Sequence, residues 1–241
     1  MKTKSLLAFI SFLVFFPFPN FGQEEEKRDE ILQHHFKAVG QEKLSGVESI
    51  KMIGRSKVQG NEFPFTVYIK DPNLVRNEIT VQGQKMIQAF DGENGWMVVP
   101  WMSSEPKDLS GIQVKNMKGS ANIEGDLYKW KEKGHQLEYL GEDEIDGTPV
   151  YHLELTKNNG DVINYYLDRD SYFALKQTIK TTVDNQELEM ETYLSKYEII
   201  NGMAFPMNIE SSFVGQSSQV IIDSVELNVS MEQTLFQRPE N

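Results

Sequence analysis

The sequence predicts a mostly β protein built as an up-and-down antiparallel sheet, and three observations carry that prediction. Residues 62–101 read as four short strands in a row, with apolar side chains recurring at every second position. From Gln136 to Val229 strand-like segments alternate with Asp-Gly, Asn-Gly and similar turn signals at short intervals. No helical segment interrupts that second run, which excludes a parallel sheet built from βαβ units.

The chain opens with Lys2 and Lys4, an apolar run over Leu6–Phe16 and a break at Pro17–Gly22. This is the pattern of a secretory signal peptide, expected over residues 1–22, which leaves residues 23–241 as a single domain. No other segment approaches the ~18 consecutive apolar residues of a membrane-spanning helix. The 241 residues contain no cysteine, so disulfides, thiolate nucleophiles and a lipid-modified cysteine are all excluded. Net charge is −12, and loss of Lys2 and Lys4 with the leader makes the rest more acidic still. An acidic surface gives no electrostatic reason to bind nucleic acid or an anionic bilayer.

Glu24–Glu26 suit the first turn of a helix. Ile31, Leu32, His35, Phe36 and Val39 fall on one side of it, and Gly40 fits its C-terminal end. Ser49–Val58 is the first strand, and Gly60-Asn61 turns it back. In the next, Phe63, Phe65, Val67 and Ile69 share one face. Asp71-Pro72-Asn73 is a turn by the chemistry of its residues, and Leu74–Val81 follows with Val75, Ile79 and Val81 on one face. Lys85–Phe90, the loop Asp91–Gly95 and Trp96–Val99 complete the meander.

Beyond Trp101 the pattern dissolves. Ser103–Lys107 reads as loop, and Gly111–Lys118 shows no regular alternation. Ile123, Leu127 and Trp130 lie at helical spacing in a segment that ends at Gly134. So long an insertion between strands points to a functional element. Strands then resume over 136–142, 149–156, 162–167, 173–183, 188–200, 205–213 and 219–229, with Asn201-Gly202 the clearest hairpin signal.

IKDPNLVRNEI followed by AFDGENGWMVVPW, then YYLDRDSYFALKQ, YEIINGMAFP and MEQTLFQRP, occur in an order that resembles the lipoprotein-carrier family of LolA and LolB. The resemblance spans most of residues 23–241. It implies a half-open antiparallel barrel of about eleven strands, with an N-terminal helix and a lid helix across the mouth. It also implies a hydrophobic cavity for acyl chains. The lid falls on Ile123, Leu127 and Trp130. On this reading Phe63, Phe65, Val67, Ile69, Val75, Ile79, Val81, Met97, Val99 and Trp101 line the concave face and bind lipid, since Met and aromatic side chains adapt to cargo of variable shape. The family's arginine before the Pro-Asn-Leu turn, which holds its lid shut, is here Asp71, so that device is not carried over. Nor is it moved to the nearby Arg76.

The implied function is that of a soluble, monomeric periplasmic carrier of acylated lipoprotein or lipid, with an inner-membrane donor and an outer-membrane acceptor. The alternatives are a lipid-sensing module of the same fold and a filled-barrel interaction domain. No enzyme is expected. There is no G-x-S-x-G elbow, no phosphate-cradling glycine loop and no histidine beside a nucleophile. Asp168 and Asp170 read as turn formers, lacking the rest of a calcium loop. His34 and His35, adjacent on a helix, point about 100° apart and cannot easily share an ion, so neither metal nor cofactor is expected.

Overall fold

The computed structural model describes residues 21–183, 186–213 and 215–239. The expected leader lies outside them apart from Phe21 and Gly22, which begin the first helix. That helix, α1 (Phe21–Val39), is followed by the single turn α2 (Gln41–Leu44). Between them Gly40 takes a φ of 71°, a left-handed conformation that suits glycine.

Six strands form the N-terminal limb of the sheet: β1 (Ser49–Val58), β2 (Asn61–Lys70), β3 (Leu74–Val81), β4 (Gln84–Phe90), β5 (Gly95–Val99) and β6 (Ser103–Asp108). Seven form the C-terminal limb: β7 (Gln136–Ile145), β8 (Thr148–Thr156), β9 (Val162–Asp168), β10 (Ala174–Val183), β11 (Gln186–Ile200), β12 (Met203–Phe213) and β13 (Gln216–Leu227). All thirteen belong to one antiparallel sheet in the order β6-β5-β4-β3-β2-β1-β13-β12-β11-β10-β9-β8-β7. Each limb is a plain meander, and pairing of β1 with β13 joins them. The result is the expected half-open barrel, with β6 and β7 left as free edges.

Among the described residues the strands number thirteen rather than about eleven. Ser103–Lys107, expected as loop, lies in the edge strand β6. Its sequence SSEPKD has no apolar face to reveal it, and a proline with charges is what an exposed edge tolerates. The crossover between the limbs also differs from expectation. Its helix is α3 (Ile112–Ser120), whereas Ile123–Trp130, expected as helix, is a series of turns.

Among the described residues three apolar clusters hold the elements together. Under α3, the concave face of the N-terminal limb packs Ile50, Phe65, Ile69, Val75 and Phe90 against Leu109 and Met117. Under α1, Ile31 and Leu32 meet Leu137, Leu153, Leu155 and Leu167 of the C-terminal limb. On the convex side of the N-terminal limb, the chain's end lies as a strap whose Met231 and Phe236 pack on Leu74. Polar groups fasten these layers. Arg28 of α1 donates to the Leu137 carbonyl at 3.2 Å, and His35 Nδ1 lies 2.8 Å from the Tyr172 carbonyl. Lys70 donates to the Met231 carbonyl at 2.7 Å and Arg76 to that of Leu235 at 3.0 Å.

Candidate functional site

In an antiparallel sheet, directly paired residues share a face, so the inner surface can be followed strand by strand. One row runs Leu137, Leu155, Ile163, Ile179, Met190, Phe213 across β7, β8, β9, β10, β11 and β12. Leu137 and Leu155 are sealed beneath α1. The rest of the row, Ile163, Ile179, Met190 and Phe213, floors an open cavity of about 1020 Å³. Leu188 and Thr181, paired with each other, lie beside that row, and Ser211 and Ser218 lie farther along the floor. The roof is α3, through Ile112, Val114, Lys115 and Gly119, with Asn122 and Asp126 of the turns that follow it.

The cavity opens at the end of the sheet where β12 stops at Phe213 and β13 starts at Gln216. Phe213 is 42% exposed there, a large apolar side chain presented to the mouth. A cavity forms in this limb because several of its inward residues are small or polar. Where the N-terminal limb has Phe65, Ile69 and Phe90, this one has Thr181, Ser211 and Ser218, and the difference in volume stays open.

One wall of the cavity is polar. Lys115 of α3 donates to Asp161 Oδ1 at 2.6 Å and to Thr181 Oγ1 at 2.6 Å, and the Thr181 hydroxyl itself donates to Asp161 Oδ1. Asn159 donates to the other carboxylate oxygen at 2.9 Å. Burial opposes the charge on Asp161, but Lys115, Thr181 and Asn159 outweigh it and hold the carboxyl below its usual range. A second ion pair, Lys157 to Asp126 at 2.9 Å, ties the same β8–β9 turn to the crossover. The wall therefore fastens α3 to the sheet on one side of the opening. Among the described residues no cluster of three or more His, Asp or Glu side chains is arranged to hold a metal ion. His34 stacks on Tyr172 at 4.7 Å instead.

None of the ten residues expected to bind lipid lines this cavity. Phe65, Val67, Ile69, Val75, Ile79 and Met97 do come together on the concave face, but in the packed core under α3. Phe63, Val81 and Val99 sit at the hairpin end of that limb, outside the cluster, and Trp101 is 49% exposed in the β5–β6 turn. Of the expected lid residues, Ile123 packs at the edge of that same core, while Leu127 and Trp130 pack with α1. Asp71 lies in the β2–β3 turn, at the opposite end of the sheet from the mouth, and Arg76 holds the strap. The residues that sequence reasoning passes over are those of β9–β12 and α3. The signal available for them is a run of strands whose inward positions alternate between large apolar and small polar types.

A family model described as "-like: Uncharacterized protein" matches residues 65–240, more than half of the chain. The chain belongs to that family. Its fold is LolA-like. A LolA superfamily protein from Nitrosomonas europaea has a TM-score of 0.58 at 16% identity, covering 87% of this chain and 96% of that one. A domain from Vibrio parahaemolyticus assigned to outer membrane lipoprotein sorting also has a TM-score of 0.58, at 12% identity, covering 86% and 94%. A DUF1329 family protein from Desulfovibrio piger has a TM-score of 0.57 at 15% identity, covering 86% and 97%. No curated protein sequence matches. The LolA-like chain thus shares an architecture with these proteins across nearly its whole described length. Among its described residues no helix is long and apolar enough to cross a membrane.

Proposed function

We propose that this protein is a non-catalytic periplasmic carrier whose cavity takes up acyl chains, of a lipoprotein or a lipid, and shields them from water on the way toward the outer membrane. The observation that carries the reading is the cavity of about 1020 Å³ floored by Ile163, Ile179, Met190 and Phe213. Its size is at the upper end of small-molecule sites, which run to roughly 1,000 Å³. Each methylene that leaves water for such a surface contributes about 0.8 kcal/mol. A long chain can then bind without a polar contact of its own. The match to a domain assigned to outer membrane lipoprotein sorting supports the same reading. Loading and release follow from movement of α3, whose inner face rests on the packed core while its other side roofs the cavity. The partners are a donor at the inner membrane and an acceptor at the outer membrane, met by a monomer.

Lipid extraction with mass spectrometry of the purified protein tests the proposal, with native mass spectrometry and uptake of a fluorescent fatty acid beside it. Co-purified acyl lipid or acylated protein, or saturable uptake at one site, is the expected result. A bare-chain mass together with no uptake would overturn it and leave a filled-barrel interaction domain.

A further inference from the structure

The polar wall of the cavity bears on what the acyl chains are attached to, an inference that rests on the acyl-binding reading above. Lys115 and Asp161 face each other at 2.6 Å, and both line the cavity. They differ in access to water: the lysine side chain is 34% exposed and the aspartate 9%. A polar head arriving with its chains in the cavity meets this pair first on the β9–β10 side, with Thr181 and Asn159 bonded to the same carboxylate.

The asymmetry decides which heads are tolerated. A head with only a negative charge can take the Lys115 ammonium, but it then strands Asp161, a nearly buried carboxylate, without its cation. Leaving one member of a buried pair uncompensated is far costlier than exchanging partners. A head with only a positive charge takes Asp161 and releases Lys115, which has water within reach, yet it gains no partner for the ammonium it displaces. A head that carries both charges exchanges with both at once: its anion takes Lys115 and Thr181, its cation takes Asp161, and no charge is stranded. Lys157 and Asp126, paired at 2.9 Å, are a second ion pair on the same lining, with the two side chains about equally exposed. Lys118, the further cation on the lining, is exposed and lies over the Phe90 ring, with its ammonium 5.4 Å from the ring centre.

We infer that the cavity is selective for acyl amphiphiles with a zwitterionic head, of the phosphoethanolamine type, over those with a net negative head, through the Lys115–Asp161 pair. The pair is a specificity element, and the apolar row supplies the affinity.

The test uses the full chain without its leader and three probes carrying the same fluorescent acyl tail: a phosphatidylethanolamine, a phosphatidylglycerol and a free fatty acid. The expected result is uptake of the phosphatidylethanolamine at least tenfold tighter than of the phosphatidylglycerol. Asp161→Asn leaves Lys115 without its anion, and the preference should then reverse toward phosphatidylglycerol. Lys115→Gln leaves Asp161 without its cation, so the margin over phosphatidylglycerol should widen, since only the zwitterionic head brings an ammonium to the bared carboxylate. Equal uptake of the two phospholipids by the natural chain overturns the head selectivity and leaves the carrier reading standing. Uptake of none of the probes overturns the carrier reading itself. A preference that survives Asp161→Asn, or that Lys115→Gln removes, overturns the assignment to this pair. Circular dichroism of each variant separates loss of selectivity from loss of fold.

Discussion

The indole N–H of Trp96 donates to the backbone carbonyl of Phe236 at 2.9 Å, and both side chains are shut off from solvent. Residues 140 apart in sequence are thereby joined. The contact holds the chain's end on the convex face of the N-terminal limb, and Arg76 braces it from the side, over the Trp96 ring at 5.7 Å. Trp96→Phe keeps one aromatic ring but orphans a buried carbonyl, which costs about 1–3 kcal/mol, and leaves a cavity where the rest of the indole lay, which adds to it. Phe236→Ala empties the seat under the strap and should cost about 3–5 kcal/mol. Urea titrations of the two variants check the values and their order. A Trp96→Phe midpoint equal to that of the natural chain would remove the strap from the account of stability.

Two of the carboxylates held below their ordinary values bear on how the fold responds to acid. Burial opposes the charge on Glu78, yet Lys85 and Arg76, each 2.8 Å away, hold its carboxyl below the ordinary value of 4.5. Asp161 is held below 3.8 in the same way. Both groups have depressed folded values, so their contribution is present above the unfolded values and is lost as pH falls through the folded ones. Melting temperature should therefore drop steeply below about pH 4.5. In the Glu78→Gln, Asp161→Asn double variant the curve should begin lower at neutral pH and fall less on acidification. Parallel curves for the two proteins would rule out these groups as the cause.

His35 acts in a different window. Burial pushes its imidazole below the usual 6.5, and its Nδ1 meets the Tyr172 carbonyl at 2.8 Å. The unfolded chain then takes up a proton before the folded one does, so stability declines as pH falls below 6.5 and levels off once the folded imidazole titrates. His35→Gln should lower the melting temperature at pH 7.5 and flatten the change between pH 7.5 and 5.5. Hydrogen exchange in α1 provides the local readout. Protection of α1 that is identical at the two pH values in the natural chain would contradict this origin.

Gly40 joins α1 to the β11–β12 hairpin. A Cβ there would lie 2.1 Å from the carbonyl oxygen of Gly202, on a backbone with φ of 71°. The obstacle is main chain and cannot swing aside. Gly40→Ala should therefore cost more than the ordinary penalty for alanine in a left-handed conformation, roughly 2–3 kcal/mol in total. Gly60→Ala serves as the control, since Gly60 also has positive φ but nothing within 4 Å of its added Cβ. Chemical denaturation should rank Gly40→Ala well below Gly60→Ala, and equal losses would refute the steric part.

The sheet is legible in the sequence because its signals are local. Period-two alternation in Phe63–Ile69 and turn residues such as Asn201-Gly202 act over a few positions, and β2 and the β11–β12 hairpin appear where those signals fall. The misses share a different cause. In β6, SSEPKD pairs on only one edge and packs no apolar face, so nothing in its own residues announces a strand. In α3, IQVKNMKGS directs Val114 and Met117 toward the core and carries no wider apolar stripe, while Ile123, Leu127 and Trp130 reach helical spacing through consecutive turns. The cavity is the deepest miss. Large apolar residues at Phe65, Ile69 and Val75 mark the concave face, but they also fill it. Space survives where Thr181, Ser211 and Ser218 leave volume unclaimed, and that depends on how α3 lies across the two limbs, which no single segment encodes.

That difference between a filled and an open limb gives a paired test. Met190 and Val67 are both half-buried, but Met190 lies on the cavity floor, whereas Val67 packs against the core under α3. A charge at Met190→Glu can reach water through the mouth, so the fold should survive with a loss of less than about 1 kcal/mol, in the range of accessible substitutions. Acyl-chain uptake should nonetheless fall at least tenfold, because the carboxylate keeps water where the chain would lie. Val67→Glu puts the same charge among packed side chains and should cost about 3 kcal/mol or more. Any uptake lost in that variant should scale with the fraction unfolded. Fluorescent fatty-acid titration beside a denaturation curve distinguishes the two substitutions. Should Met190→Glu bind normally while a folded Val67→Glu does not, the acyl chain sits over the N-terminal limb, and the cavity beneath α3 serves some other ligand.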